Sequence, residues 1–223
     1  ELVDCPFYFK IGACRHEDRC SRLHHKPAFS QTVLLKHMYK NPTRLVGLAP
    51  PPSPEEAFNE FLDFYEDVYM ELSKYGRIEG LHVVDNVGDH MIGHVYVKYF
   101  NEEEAADALS ELHGRYYDGT IILAEYSPVT DFREARCRDF DEETCSRAGF
   151  CNFLHVKPVP PPLVRSLQED ADEMRRQKEE KRMLDEEEER RKHKKRKREK
   201  KEKKSKRSRR DSSSDENDQD DRD

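Results

Sequence analysis

Two sets of cysteine and histidine constrain this chain more than anything else in it. Cys5, Cys14, Cys20 and His24 are spaced C-x8-C-x5-C-x3-H, and Cys137, Cys145, Cys151 and His155 are spaced C-x7-C-x5-C-x3-H. Together they use all 6 cysteines of the 223 residues. Three thiolates and one neutral imidazole make a closed tetrahedral shell that suits zinc and leaves no position for a catalytic water. Segments so short and polar cannot fold on apolar burial alone, so the metal must supply the folding free energy. Two structural Zn2+ ions are the expectation. Disulfides in a secreted protein are the competing reading. A repeated spacing that ends each time in Cys-x3-His, beside a Lys/Arg-rich tail, argues against them. Gly12 and Gly149 are expected to supply sharp turns just before the second and third cysteines of their sets.

The stretch between the two sets reads as an α+β domain. Phe58, Phe61, Leu62, Tyr65, Val68, Tyr69 and Leu72 recur at helical spacing, with Gly76 placed to end the helix. Strands follow at Ile78–Val84 and Gly93–Phe100, separated by a turn at 85–88. Asn101 is expected to cap a helix from Glu102 to about Leu112, with Glu104 completing a capping box, and Thr120–Tyr126 reads as the last strand. With Leu45–Leu48 as the first strand the order is βαββαβ, a four-stranded sheet carrying two helices on one face. Pro50-Pro51-Pro52 and Pro160-Pro161-Pro162 break the chain on either side. The expected divisions are 1–40 and 131–158 for the metal-bound segments, 41–130 for the central domain, 159–204 for a charged helix and basic segment, and 205–223 for a disordered Ser/Asp tail. The helix is expected from Leu163 to about residue 200, solvated, with only Leu167, Met174 and Leu184 as core candidates. The chain opens on Glu1 rather than Met, which points to an incomplete N-terminus. No run approaches the roughly 18 apolar residues of a membrane span, so no membrane partner is expected.

The net charge of −7 conceals a segregated pattern. Residues 1–40 carry +3, residues 41–130 carry −12, residues 158–210 carry +9 and residues 211–223 carry −6. Such segments meet different partners. Arg190–Arg210 reads as a nuclear-import signal and an RNA-attracting arm, which places the protein in the nucleus. No nucleophile–base set or phosphate loop is present, so an enzyme is not expected.

Fingers of the CCCH kind resemble one another in presenting planar side chains and backbone groups to single-stranded RNA. In the first set the candidates are Phe7, Arg15, His16, Ser21, Arg22 and Lys26; in the second they are Arg138, Arg147, Phe150 and Phe153. Of Phe7, Tyr8 and Phe9, one or two are expected to pack around the metal. The central domain aligns with the RNA recognition motif, its octapeptide falling on Ile92-Gly93-His94-Val95-Tyr96-Val97-Lys98-Tyr99. Its basic opening residue is Ile92, its first stacking position is His94, and the first strand offers Val46; Tyr96 alone survives as a stacker. At −12 the domain repels phosphate, so it is expected to bind protein. Glu66 and Asp67 on the helix, with the loop Arg115-Tyr116-Tyr117, resemble the protein-binding variant of the motif. There the aromatic flanks a ligand Trp, the arginine pairs with an acid and the helix acids attract a basic peptide.

The run Phe7-Tyr8-Phe9-Lys10-Ile11-Gly12-Ala13-Cys14-Arg15-His16 resembles the first finger of the small subunits of U2 snRNP auxiliary factor. Asp85-Asn86-Val87-Gly88-Asp89-His90 and Ser127-Pro128-Val129-Thr130-Asp131-Phe132-Arg133-Glu134-Ala135 resemble the same family. The resemblance covers about residues 4 to 158. It implies a pre-mRNA splicing factor whose fingers together recognise the AG of the single-stranded 3′ splice site. It further implies that the middle domain clamps a proline- and tryptophan-containing peptide of the large subunit, which occupies the adjacent polypyrimidine tract, among other spliceosomal proteins. Tyr116 stands where the family often has Trp, and the tail holds little of the Arg-Ser repeat of many relatives. The competing readings are a CCCH mRNA-turnover factor, a minor-intron splicing relative, and a protein scaffold in which zinc only supports the central domain.

Overall fold

A computed structural model of the chain describes residues 3–42 and 52–211. The chain divides into two units, Glu1–Asp172 and Glu173–Asp223. The first contains a short helix α1 (Pro6–Ile11), strand β1 (Thr32–Lys36), helix α2 (Pro54–Leu72), strands β2 (Ile78–Val83) and β3 (Val95–Tyr99) and helix α3 (Glu102–Leu112). A hairpin of β4 (Tyr116–Tyr117) and β5 (Thr120–Ile121) follows, then β6 (Leu123–Tyr126) and the short helices α4 (Phe132–Ala135) and α5 (Arg138–Asp141); helix α6 (Pro161–Asp211) begins in the first unit and supplies the described part of the second. The sheet is antiparallel in the order β2-β3-β1-β6. This is the α+β architecture that the βαββαβ pattern implied, with one strand in a different place.

The expected first strand, Leu45–Leu48, and the stacking position at Val46 lie outside the described residues. The strand that fills the first place in the sheet is Thr32–Lys36, paired with β3 and β6. The sheet therefore starts within the stretch assigned to the first finger, before residue 41. The run Val33-Leu34-Leu35 is buried on both faces, so it lacks the alternation that marks a half-exposed strand. Val33 and Leu35 join the core beneath α2 and α3, with Phe61, Tyr65, Val97, Ala105 and Leu112. Leu34 points the other way, into a second core shared with the two fingers.

Other local expectations are corrected. Helix α2 starts at a complete capping box, in which Glu56 N–H donates to Ser53 Oγ and Ser53 N–H donates to the Glu56 carboxylate. It ends at Leu72 with Ser73 as its cap, not at Gly76. Gly76 instead makes room, because a Cβ there would stand 2.4 Å from Glu104 Cβ. Asn101 occupies the N-cap of α3 but makes no side-chain cap bond. The single expected strand 120–126 is two, Thr120–Ile121 in the hairpin and Leu123–Tyr126 in the sheet, with Ile122 between them still bonded to the other arm through Arg115 O (2.7 Å) and Gly114 N–H (3.0 Å). The hairpin turns at Asp118 and Gly119, both at positive φ (46° and 71°), as a two-residue turn of this hand requires.

Helix α6 is longer than expected and its first turns are not solvated. Leu167 and Ala171 are buried in the main core, and Leu163 and Val164 pack against it. Beyond Asp172 the helix carries ion pairs one turn apart, including Arg191–Glu187 at 2.8 Å and Lys192–Glu188 at 2.6 Å, which support a helix that has no apolar stripe. Among the described residues no helix is long and apolar enough to cross a membrane.

Both fingers are fastened to the sheet face opposite the helices. Ile11 and Ala13 of the first finger, and Phe132, Ala135, Leu154 and Val156 around the second, share one core with Leu34, Tyr96 and Met91. Tyr96 is fully buried and its hydroxyl donates to the Ile11 carbonyl at 2.7 Å. The expectation of Tyr96 as a base stacker is therefore overturned: the ring holds a finger. Gly12, at φ 70°, lies so close that a Cβ would stand 2.5 Å from Ser127 Oγ and 3.3 Å from the Tyr96 ring. Asn86 in the β2–β3 loop fastens the second finger. Its Nδ2 donates to the carbonyls of Cys151 and Phe153 (3.0 and 3.1 Å), and its Oδ1 accepts from His155 N–H at 2.7 Å.

Asn86→Ala strands one buried N–H and two carbonyls and is expected to destabilise the chain by about 2 kcal/mol or more. Asn101→Ala removes no cap bond and is expected to stay within about 0.5 kcal/mol of wild type. Urea unfolding of both variants checks the pair, and equal losses would contradict the assignments.

Candidate metal centres and nucleic-acid interface

The two fingers close in the same way. In the first, Cys5 N–H donates to the Leu23 carbonyl (2.9 Å) and Leu23 N–H to the Val3 carbonyl (3.0 Å), which brings Cys5 beside His24. In the second, Cys137 N–H donates to the Leu154 carbonyl (2.8 Å) and Leu154 N–H to the Ala135 carbonyl (2.9 Å), which brings Cys137 beside His155. Pro6 starts α1 and Gly12 ends it in the left-handed region, its N–H donating to Tyr8 O, and so turns the chain back toward Cys14. Gly149 has no such role. The residue at positive φ is Ala148 (46°), and Gly149 instead admits Val87, whose Cγ2 would stand 2.6 Å from a Cβ.

Each set offers four ligand atoms lying within 4.8 Å of one another. The Sγ separations are 3.8 Å for Cys14–Cys20, 3.8 Å for Cys137–Cys145 and 3.7 Å for Cys137–Cys151. A disulfide bond would need about 2.0 Å, whereas a tetrahedron with metal–sulfur bonds of about 2.3 Å has edges of about 3.8 Å. The Nε2 atoms of His24 and His155 are buried and have no hydrogen-bond partner. Each imidazole is held flat by a ring, Tyr8 on His24 (4.4 Å, 8°) and Phe140 on His155 (4.1 Å, 14°). Tyr8 and Phe140 are thus packing residues. A zinc ion fits both donor sets and would supply the cross-link that these segments otherwise lack.

Burial pushes the Cys14 thiol up to about 11 and the Cys137 thiol up to about 12. Burial also holds the His155 imidazole below its ordinary value, in the neutral form that ligates. A cation must therefore displace thiol protons, and its affinity falls as pH falls. Metal analysis of purified protein is expected to return two zinc ions per chain. Excess chelator at neutral pH should then abolish the fingers' near-ultraviolet signal, with release easier at pH 5 than at pH 8. Metal-free protein that kept that signal would contradict the centres.

A cavity of about 330 Å³ opens beside the first centre. Phe7, Arg15, His16, Ser21 and Arg22, all expected on sequence grounds, line it. So do two residues that sequence reasoning missed, His90 from the β2–β3 connection and Asn152 from the second finger. His90 lies in Asp85–His90, a run matched to the family without an assigned contact, and Asn152 stands between Cys151 and Phe153. Phe7 meets Phe153 edge-on, with ring centres 6.5 Å apart, so the fingers meet at this point. On the far side of Phe153 a second cavity of about 610 Å³ gathers Arg138 and Arg147 with Lys10 and Arg133. Asp131 and Asp139 pair with Arg133 (2.6 Å) and Arg147 (3.4 Å). Lys26 is not brought into either cavity; its ammonium lies 3.6 Å from Glu125. Phe150 is 69% exposed and lines neither.

The proposed protein-binding residues sit on the other side of the sheet. Glu66 and Asp67 are exposed on α2. Tyr117 is half-buried against Phe64, ring centres 6.0 Å apart, and Tyr116 is 72% exposed. Burial raises the Tyr117 hydroxyl, helped by the charges of Asp67 and Asp118. Arg115 is engaged within the chain, its Nη1 donating to Glu71 Oε1 at 2.9 Å and to Tyr75 Oη at 2.7 Å. Sequence reading reserved it for a ligand's acid and overlooked Glu71, one turn past Asp67.

Fold and site together define an RNA-recognition-motif domain flanked by two Cys3His zinc-finger segments. The family described as "RNA recognition motif" matches residues 65–123, and that described as "Zinc finger C-x8-C-x5-C-x3-H type (and similar)" matches residues 1–26. The chain is 52% identical over 171 residues to a splicing factor U2af small subunit of Arabidopsis thaliana, covering 75% of this chain and 60% of that protein. It is 49% identical over 172 residues to "Splicing factor U2AF 26 kDa subunit" of Rattus norvegicus, with coverages of 75% and 78%. For the Homo sapiens protein of the same name the identity is 48% and the coverages are again 75% and 78%. The chain belongs to the U2AF small-subunit family. It spans 60% of the length of the Arabidopsis relative.

Proposed function

We propose that this chain is a nuclear pre-mRNA splicing subunit whose two fingers recognise the AG of the 3′ splice site. Its central domain, on this reading, heterodimerises with a large subunit that holds the polypyrimidine tract. The observation that carries the reading is the burial of the sheet face beneath both fingers. An ordinary RNA recognition motif stacks bases on that face, but here Leu34 is 1% and Tyr96 0% exposed. RNA is left with the fingers, where Phe7, Arg15, Arg22 and Phe153 gather around the finger–finger contact. Each finger would hold one structural Zn2+ through its three thiolates and one imidazole, and the ion's part is to fix the fold of the finger.

The helix side supports a polypeptide partner. Exposed acids on α2 repel phosphate and attract basic residues, and Tyr117 beside Phe64 offers an aromatic wall to an inserted ring. Arg115, locked to Glu71 and Tyr75, would shape that wall. Tyr116 would fill the place of the Trp in relatives. A turnover factor with independently acting fingers is less well supported, because one core unites both fingers with the sheet.

Titration at fixed salt is expected to separate UAG- from UAC-containing RNA, and Arg22→Lys should weaken the UAG complex by loss of the planar guanidinium. A pull-down with a proline- and tryptophan-containing peptide should succeed with wild type, and Tyr117→Ala should weaken it by about 2 kcal/mol. Equal binding of the two RNAs would defeat the splice-site reading. Peptide binding unaffected by Tyr117→Ala would defeat the partner assignment.

A further inference from the structure

The two fingers are held to the sheet by unequal means. In the second, residues 85–87 of the β2–β3 connection run beside the segment that carries Cys151 and His155. Asp85 N–H donates to the His155 carbonyl at 2.7 Å, and Val87 N–H donates to the Gly149 carbonyl at 2.8 Å. Asn86 adds its bonds to the carbonyls of Cys151 and Phe153 and to His155 N–H. Past the histidine, Val84 and Val156 form an antiparallel bridge, and Lys157 N–H donates to the Val83 carbonyl at 2.9 Å. Cys151 and His155 are 0% and 2% exposed. Both are seated by groups that do not depend on the metal.

The first finger is different. Ile11 and Ala13 lie in the shared core, and Tyr96 bonds the Ile11 carbonyl. After Ala13 these ties stop. Among the described residues, none of residues 14–24 forms a hydrogen bond or an ion pair with the central domain. Their bonds stay within the finger, as in Glu17 N–H to Cys14 O, Cys20 N–H to Glu17 O and Leu23 N–H to Val3 O. Cys14 is buried only in a small cluster with Cys5 and Tyr8. Cys20 and His24 are half-buried, and nothing from 15 to 22 is buried. Yet this stretch supplies Cys14, Cys20 and His24 to the first metal set.

Ligands already in place bind a metal without further ordering of the chain. Ligands that must be gathered lose part of the binding free energy to that ordering. An exposed stretch with few ties is also the first to open locally. We propose that the two zinc ions are held unequally: the first finger gives up its ion and opens over residues 14–24 while the second stays closed on its own. Arg15, His16, Ser21 and Arg22 all lie on the opening stretch, whereas α2 and the 115–117 loop lie across the sheet. Occupancy of the first centre then switches RNA binding while partner binding continues, a consequence that rests on the proposed reading of the fingers and of the helix face.

The test titrates chelator into the whole, zinc-loaded chain, counting released zinc and following hydrogen–deuterium exchange over 14–24 and 149–157. Two steps are expected, roughly tenfold or more apart in chelator concentration. The first releases one ion and exposes 14–24 with 149–157 still protected. Asn86→Ala should bring the second step toward the first and leave the first in place. Release of both ions in one step with both stretches opening together, loss of protection at 149–157 first, or an Asn86→Ala protein with the wild-type gap overturns the proposal. Should that variant fail to fold, the order of release in wild type still decides. In the one-ion form, affinity for a UAG-containing RNA is expected to fall by about tenfold or more, and affinity for the proline- and tryptophan-containing peptide to stay within about twofold. A one-ion form, open at 14–24, that binds RNA as well as the loaded chain overturns the switch and the finger reading together, leaving the unequal hold intact.

Discussion

The hydrogen bond from Tyr96 to the Ile11 carbonyl sits inside an apolar layer on which the rest of the structure depends. On its own, neither finger has enough apolar surface to fold, and the sheet alone would expose Leu34, Tyr96 and Met91 to water. Pressed together, these surfaces become one core, and the exposed face of an ordinary sheet becomes an interior. Gly12 and Asn86 are the two positions where this contact is most exacting. One admits no side chain, and the other satisfies three backbone groups at once. Two Cys3His centres that are 113 residues or more apart in sequence are thereby fixed with Phe7 against Phe153.

Charge then separates what the two sides of the domain can meet. The stretch 41–130 carries −12, much of it on α2 and α3, and a polyanion is repelled from that layer. Arg15, Arg22, Arg138, Arg147 and Lys10 lie on the finger side, around the cavities that flank the Phe7–Phe153 contact. The proposed division of labour, transcript on the fingers and polypeptide on the helices, follows from one sheet covered on both faces by different materials.

Much of this was legible in the sequence, for local reasons. The spacing within each metal set is a covalent fact, and all eight of those residues come together in two clusters that could hold a metal ion. Helices α2 and α3 and strand β2 showed their period because each has one buried and one wetter face; β3, buried on both faces, was legible from its β-branched and aromatic residues instead. Strand β1 was misplaced because Val33, Leu34 and Leu35 are buried on both sides, so nothing alternated. Tyr96 was misread for the same reason, since its partner surface comes from a distant segment. The Asp118-Gly119 dipeptide did carry a hairpin signal, and it was passed over as a loop. Asn101 had the right residue type for a cap but forms no such bond. His90 and Asn152 could not have been found from spacing. They enter the cavity only when the β2–β3 connection and the second finger converge on the first.

The central claim is that nucleotides meet the fingers and never the sheet. Ultraviolet crosslinking of a UAG-containing oligonucleotide to the zinc-loaded chain, followed by peptide mapping, tests it most directly. The account predicts crosslinks at Phe7 and Phe153 and at residues lining the cavities that flank their contact. Crosslinks at Leu34 or Tyr96, with both fingers unmarked, would contradict it.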